Sequence, residues 1–106
     1  MGQMDKLSAF YEVVATDYRI GVTHISLYMA LFQLWYMNEF QSPVSITRQQ
    51  VMPIARINGR ATYHKCLREL ETYGYIQYVP SFNPMIKSQV FFIDMRKSHQ
   101  IPKGVL

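Results

Sequence analysis

The spacing of apolar residues is clearest between positions 58 and 74, where it predicts an amphipathic helix. The residues that recur at helical spacing on one face are Tyr63, Cys66, Leu67 and Leu70. Asn58 is a good N-cap because its side chain can accept a hydrogen bond from a free helix amide. Gly74 is a good stop because glycine adopts the left-handed conformation freely. We therefore predict a helix over about residues 60–73, with an apolar face against the core.

Two earlier segments also have helical spacing. Apolar residues predict a first helix over about 4–16, with Asp5 favourable in its first turn. A second helix is predicted over about 23–41, where Thr23 can act as the N-cap and Ser42 and Pro43 break the pattern. This second helix is apolar on nearly all sides, so it must be buried on more than one face.

The middle of the chain predicts a short strand and a short helix. Residues 44–46 form an extended apolar segment, and Thr47 with Gln50 makes a capping box that begins a third helix over about 47–56. Pro53 removes an amide donor and crowds the preceding turn. We therefore expect this helix to be short or kinked.

The last third of the chain predicts an antiparallel pair of strands. Residues 75–79 and 89–95 are rich in β-branched and aromatic residues, and the loop that joins them is rich in turn formers. The last residues, 96–106, are basic and have no pattern, so we expect a frayed tail. A minor-groove arm and an extension that docks on a neighbour are the alternatives. The predicted fold class is mainly α with a small antiparallel β-hairpin (α+β).

Length and composition indicate one folded domain over about residues 1–95. The 106 residues are 49% apolar and include eight Tyr and six Phe, which excludes a disordered chain. One cysteine allows no intramolecular disulfide, so a cytoplasmic location is the expectation. The first residues do not form a signal peptide, and the apolar segment 25–37 is too short to span a bilayer.

Positive charge is concentrated in the middle of the sequence. Residues 1–46 hold two basic and four acidic side chains. Residues 47–68 hold no acidic side chain and five basic ones: Arg48, Arg56, Arg60, Lys65 and Arg68. A localised basic patch is typical of a protein that binds a polyanion. A solvated basic face without a partner is the alternative, and the helix followed by strands favours nucleic acid.

Residues 62–76 resemble winged helix-turn-helix transcriptional regulators. The family pattern there is a Leu-x-x-Leu helix, a Gly stop and an Ile that opens the wing, and the matching residues are Leu67, Leu70, Gly74 and Ile76. Segments 24–35 and 78–84 resemble a narrower group of small, stand-alone bacterial winged-helix proteins, some of them associated with mobile elements. The resemblance covers residues 23–95. It implies sequence-specific binding of double-stranded DNA, often as a dimer, with residues 75–95 as the wing.

In this interpretation residues 47–73 are the helix-turn-helix. The first helix rests across the phosphate backbone, and the second enters the major groove. A purely structural helix pair is the alternative. The basic outer face, the appearance of Glu69 and Glu71 only after two helical turns, and the strands that follow argue for DNA.

The candidate DNA-binding residues are Arg48, Gln49, Arg60, Thr62, His64, Lys65, Arg68 and Lys87. Arg60 is suited to a guanine edge or a phosphate, whereas Arg68 is better placed for a phosphate. Lys87 in the wing would contact the backbone or an adjacent minor groove. Each of these residues has an ordinary solvated side chain as its alternative role, and for Arg68 a surface ion pair with a neighbouring glutamate is a further one.

The sequence offers little support for catalysis, so we predict no enzyme activity, no cofactor and no metal. His64 and Cys66 are two residues apart on a helix and cannot face one metal together. Cys66 is expected to be a buried, inert thiol. The glycines fit caps and turns rather than a phosphate-binding loop.

The predicted function is transcriptional control through DNA. A homodimer through helices 4–16 and 23–41 is also predicted, because the second helix looks too apolar for one small domain to cover. The alternatives are a protein-interaction winged helix and an accessory DNA-binding factor in replication or excision.

Overall fold

A computed structural model describes residues 2–83 and 85–95 of the protein. These residues form four helices and three short strands. The elements are α1 (Gly2–Val14), α2 (Val22–Met37), β1 (Val44–Ile46), α3 (Arg48–Ala55), α4 (Arg60–Thr72), β2 (Ile76–Val79) and β3 (Ser88–Phe92). This α+β architecture confirms the predicted class. The predicted tail at 96–106 lies outside the described residues.

The three strands form one antiparallel sheet in the order β1-β3-β2. Val44 of β1 lies opposite Val90 of β3, and Ile76 of β2 lies opposite Phe92. The sequence predicted the pairing of the last two strands. The structure adds β1 on the other edge of β3, so the strand before α3 and the strand after α4 share one partner.

Helix α2 is buried by the rest of this one chain. Its inward residues are Leu27, Tyr28, Ala30, Leu31, Leu34 and Trp35. Phe10 of α1 stacks on Tyr28 with 3.8 Å between ring centroids, and Trp35 stacks on Phe92 of β3 at 4.2 Å. The apolar sides of α2 therefore face α1 and the sheet as well as the other helices.

Both predicted ends of α2 were wrong. The helix begins after Gly21 rather than Thr23, and His24 Nδ1 accepts a hydrogen bond from the Gly21 amide at 3.0 Å. The helix ends at Met37 rather than residue 41, because Glu39 and Phe40 have positive φ angles of 56° and 58°. The chain reverses direction at these residues, and Phe40 continues the apolar pattern after the helix has ended.

Helix α3 is short, as Pro53 led us to expect. The Thr47 side chain accepts a 3.1 Å hydrogen bond from the Gln50 amide, so the predicted N-cap is confirmed. Pro53 lies inside the helix, which ends at Ala55, and Arg56 follows in the left-handed conformation. The Ser26 hydroxyl of α2 donates to the Ala55 carbonyl and so satisfies a free acceptor at this helix end.

Helix α4 begins at Arg60, as predicted, and ends at Thr72, one residue before the predicted end. Its N-cap is Gly59 rather than Asn58, and no side chain caps it. At the other end, Gly74 has φ 90°, its amide donates to the Glu71 carbonyl, and the Tyr75 amide donates to the Leu70 carbonyl. These two bonds form a Schellman motif, which satisfies free carbonyls and turns the chain into β2.

Candidate nucleic-acid interface

The two faces of α4 differ in burial as the sequence predicted. The buried residues are Tyr63, Cys66, Leu67 and Leu70. The exposed candidates are Arg60, Thr62, Lys65 and Arg68. His64 is half-buried, and its Nδ1 lies 3.0 Å from the Arg60 carbonyl oxygen one turn earlier. The outward face of α4 is therefore cationic and open to solvent.

The two acidic side chains of α4 are engaged elsewhere. Oε1 of Glu69 lies 2.8 Å from Nε2 of His24 on α2, and Oε2 of Glu71 accepts a 3.1 Å hydrogen bond from the Tyr78 amide. Among residues 2–83 and 85–95, neither Glu69 nor Glu71 lies within ion-pair distance of Arg68. The alternative of an Arg68–glutamate pair is therefore not realised, and the cations of α4 are not neutralised by its own carboxylates.

A groove of about 460 Å³ runs beside α4, between the start of α3 and the loop that joins β2 to β3. Five of the eight predicted residues line it: Arg48, Gln49, His64, Arg68 and Lys87. Its lining residues include no aspartate or glutamate. The fold thus brings together cations from three separate elements around one acid-free groove.

The start of α3 contributes partial positive charge to this groove. Arg48 and Gln49 occupy its first two helical positions, where backbone amides have no partner within the helix. Together with the helix dipole, such an end favours a phosphate group. Arg48 is half-buried and lines the groove next to Thr47.

Tyr63 lies at the groove and stays a neutral phenol at physiological pH. Its pKa is raised to about 12, chiefly by burial and also by the nearby Tyr78, while Arg48 opposes the shift. The groove therefore gains no negative charge from Tyr63.

Three predicted residues lie outside the groove. Arg60, Thr62 and Lys65 are exposed on α4, next to the groove but not in its lining. The structure thus divides the eight candidates into a groove set and an outer helix set. The sequence did not identify the apolar and small polar loop residues Phe82, Asn83 and Ile86 as part of the groove, because turn-forming composition alone carries no binding signal.

A second cluster, at the α2–α4 contact, consists of His24, Cys66 and Glu69. Their possible ligand atoms lie within 4.8 Å of one another. Because His24 Nδ1 accepts the Gly21 amide, its proton sits on Nε2 and is donated to Glu69. Burial, and then the charge of Glu69, raise the pKa of the Cys66 thiol. In this arrangement the Nε2 proton of His24 joins α2 to Glu69 of α4. A metal bound to the cluster would have to displace this proton and the hydrogen bond between His24 and the Gly21 amide.

Spacing along the sequence did not predict this cluster, because within α4 only His64 lies near Cys66 as a second possible metal ligand of the histidine type. His24 lies far away in the chain and is brought to Cys66 by helix packing. The prediction that the protein holds no metal stays a prediction.

Within residues 2–83 and 85–95, no helix has the length and apolar character needed to cross a membrane. Comparison with protein-family models, with curated proteins and with solved structures found no match to this chain.

Proposed function

We propose that this protein is a winged-helix domain that binds double-stranded DNA sequence-specifically and acts in transcriptional control. The observation that carries the proposal is the acid-free cationic surface made by the outer face of α4 and the adjoining groove. Such a surface matches the phosphate charge of a duplex, and an exposed helix fits the width of the major groove.

The order of elements supports the winged-helix part of the proposal. A helix, a short strand, two consecutive helices and a strand pair follow one another from α2 to β3. The first strand pairs with the last one, so the strand before α3 and the strands after α4 belong to one sheet. This arrangement is compatible with α4 as the recognition helix and with residues 80–87 between β2 and β3 as the wing.

The two sets of candidate residues would have different roles. Arg60, Thr62 and Lys65 would meet base edges or the nearer phosphates of the major groove. The groove set of Arg48, Gln49, His64, Arg68 and Lys87 would hold a phosphodiester strand, which fixes orientation and carries no sequence information itself.

The test begins with selection of bound duplexes from a random pool by the full chain. Binding of the selected duplex should be lost in Arg60→Ala/Lys65→Ala, since both charges lie on the outer face of α4. The control is Lys6→Gln, which removes a positive charge from α1, where Lys6 lies over the Trp35 ring. Equal binding by the double variant and the control would contradict the site, and failure to select any duplex would contradict the function.

The structure leaves fewer exposed apolar residues for the predicted homodimer than the sequence suggested. The core-facing residues of α2 are covered within one chain, and among the side chains described on α1 and α2 the large apolar ones that remain exposed are Tyr11, Val22, Tyr36 and Met37. These residues are the ones available to a second copy on the described part of the two helices. Light scattering at working concentration distinguishes a monomer from a dimer.

A further inference from the structure

The loop of the wing presents large apolar side chains to solvent within its described residues, 80–83 and 85–87. Phe82 is 95% exposed, Met85 is 88% exposed and Ile86 is 58% exposed. Val79, at the end of β2, is 41% exposed. Isolated apolar residues on a surface are ordinary, but several large ones at the tip of one loop mark a surface for interaction.

Hydrogen bonds join the residues next to these side chains. The Ser81 amide donates to Ser88 Oγ at 3.1 Å, and the Ser81 hydroxyl donates to the Asn83 carbonyl at 3.1 Å. Asn83 Oδ1 accepts from the Met85 amide at 2.9 Å, and the Asn83 carbonyl accepts from the Ile86 amide at 2.9 Å. The described residues of the loop are thus joined by internal bonds. Such bonds favour one loop conformation, which lowers the entropy cost of binding.

The surroundings of the tip favour an anionic partner. Between Glu71 and Asp94 the sequence contains no acidic residue and one basic one, Lys87. The groove between the wing and α4 is lined by Arg48, Arg68 and Lys87. An apolar tip beside several cations therefore suits a surface that is negatively charged at its edges and apolar inside.

The groove also determines where the tip would lie on a duplex. One phosphodiester strand separates the major groove from the adjacent minor groove. If that strand lies in the cationic groove with α4 on its major-groove side, the wing lies on its minor-groove side. Apolar side chains that enter a minor groove act as wedges between base pairs and kink the duplex toward the major groove.

We propose that Phe82 and Met85 form such a wedge, which enters the minor groove beside the α4 site and partly unstacks one base step. The inference rests on the proposed DNA binding and adds DNA deformation to it. Pyrimidine–purine steps such as TA and CA/TG unstack most easily. The wing would therefore select a flexible step at a fixed distance from the bases contacted by α4, without hydrogen bonds to that step.

The test uses wild-type protein, Phe82→Ala/Met85→Ala and the control Tyr18→Ala, which removes an aromatic residue that is 98% exposed in the loop after α1. The probe is a duplex selected by the wild-type chain, with 2-aminopurine placed in turn at each flanking position. Wild type and Tyr18→Ala should raise the fluorescence at one step and bend the duplex by about 20–90°. The double variant should lose both signals and bind about tenfold more weakly.

The outcomes separate this inference from the proposed function. A duplex that is bound through Arg60 and Lys65, with no fluorescence rise, no bend and equal affinity in the double variant, would overturn the wedge and leave DNA binding intact. If no duplex is selected, both proposals fail. Binding of wild type, but not of the double variant, to vesicles of anionic and zwitterionic lipid, without unstacking of DNA, would assign the tip to a lipid surface instead.

Discussion

The Tyr75 hydroxyl donates a 2.7 Å hydrogen bond to Oδ2 of Asp17, which links the residue after Gly74 to the loop between α1 and α2. Tyr75 is fully buried. Asp17 also accepts from Arg19, with Nε 2.8 Å from Oδ1 and Nη2 2.9 Å from Oδ2. These bonds, chiefly those from Arg19, hold the pKa of Asp17 well below its usual range, while burial raises the pKa of Tyr75.

Replacing Asp17 should therefore destabilise the fold in a pH-dependent way. We expect Asp17→Asn to lower the free energy of unfolding by about 1–2 kcal/mol at pH 7, because charge-assisted bonds to Arg19 and Tyr75 are lost. The carboxyl has a lower pKa in the folded than in the unfolded chain, where it is about 3.9. Its contribution is thus present above about pH 4 and declines as the pH falls towards the folded-state pKa.

Urea titrations at several pH values measure this effect. The difference between wild type and Asp17→Asn should narrow below about pH 4. Glu12→Gln, an exposed carboxylate on α1, is the control and should change stability little at any pH. A gap between wild type and Asp17→Asn that is constant from neutral to acidic pH would contradict the role of the charge.

The left-handed turn after α4 should depend on glycine. Gly74→Ala places a Cβ on a residue with φ 90°, and we expect a loss of about 1 kcal/mol or more. Gly59→Ala is the matched control, since Gly59 has φ −98° and an added Cβ would meet Thr62 Oγ1 at an ordinary 3.6 Å. Denaturant midpoints compare the two variants. Equal losses would show that backbone conformation at Gly74 is not the cause.

Helix α1 should be part of the cooperative core. Phe10 is fully buried, stacked on Tyr28 and in edge contact with Tyr75 at 5.7 Å. Phe10→Ala should lower the free energy of unfolding by about 3–5 kcal/mol. Its neighbour Tyr11 is 45% exposed, so Tyr11→Ala should cost much less. A Phe10→Ala variant as stable as Tyr11→Ala would mean that α1 docks independently of the core.

DNA binding should weaken with salt according to the number of phosphates held. With about five phosphate contacts, log affinity should fall with log salt at a slope of about −4 to −5. Arg68→Ala should reduce the magnitude of that slope by about 1, since Arg68 lines the groove and forms no ion pair among the described residues. Titrations at four or more salt concentrations measure it. An unchanged slope would remove Arg68 from the set of phosphate contacts.

Local patterns predicted the elements well where one face of a helix meets the core. The stripe on α4 and the stop at Gly74 were correct, because helical spacing and left-handed glycine act within a few residues. The end of α2 was misplaced for a tertiary reason. Phe40 continues the apolar pattern, but it lies after the chain has reversed, and its ring packs back on Trp35 at 5.0 Å.

The exposure of single candidate residues could be predicted from the sequence, but the way in which distant residues come together could not. Exposure of Arg60, Lys65 and Arg68 followed from the α4 stripe alone. The groove and the His24–Cys66–Glu69 cluster depend on how distant elements pack, and no short-range pattern reports that. Phe82 and Met85 can be read in the sequence as apolar loop residues, but their exposure of 95% and 88% is known only from the structure.

The central position of β3 gives this small sheet a mechanical consequence. β1 leads directly into α3, β2 emerges from α4, and both are held by the same five residues, Ser88–Phe92. The strand before α3 and the strand after α4 therefore depend on one shared partner, so a shift of the β3 register by one position would displace both of them at once.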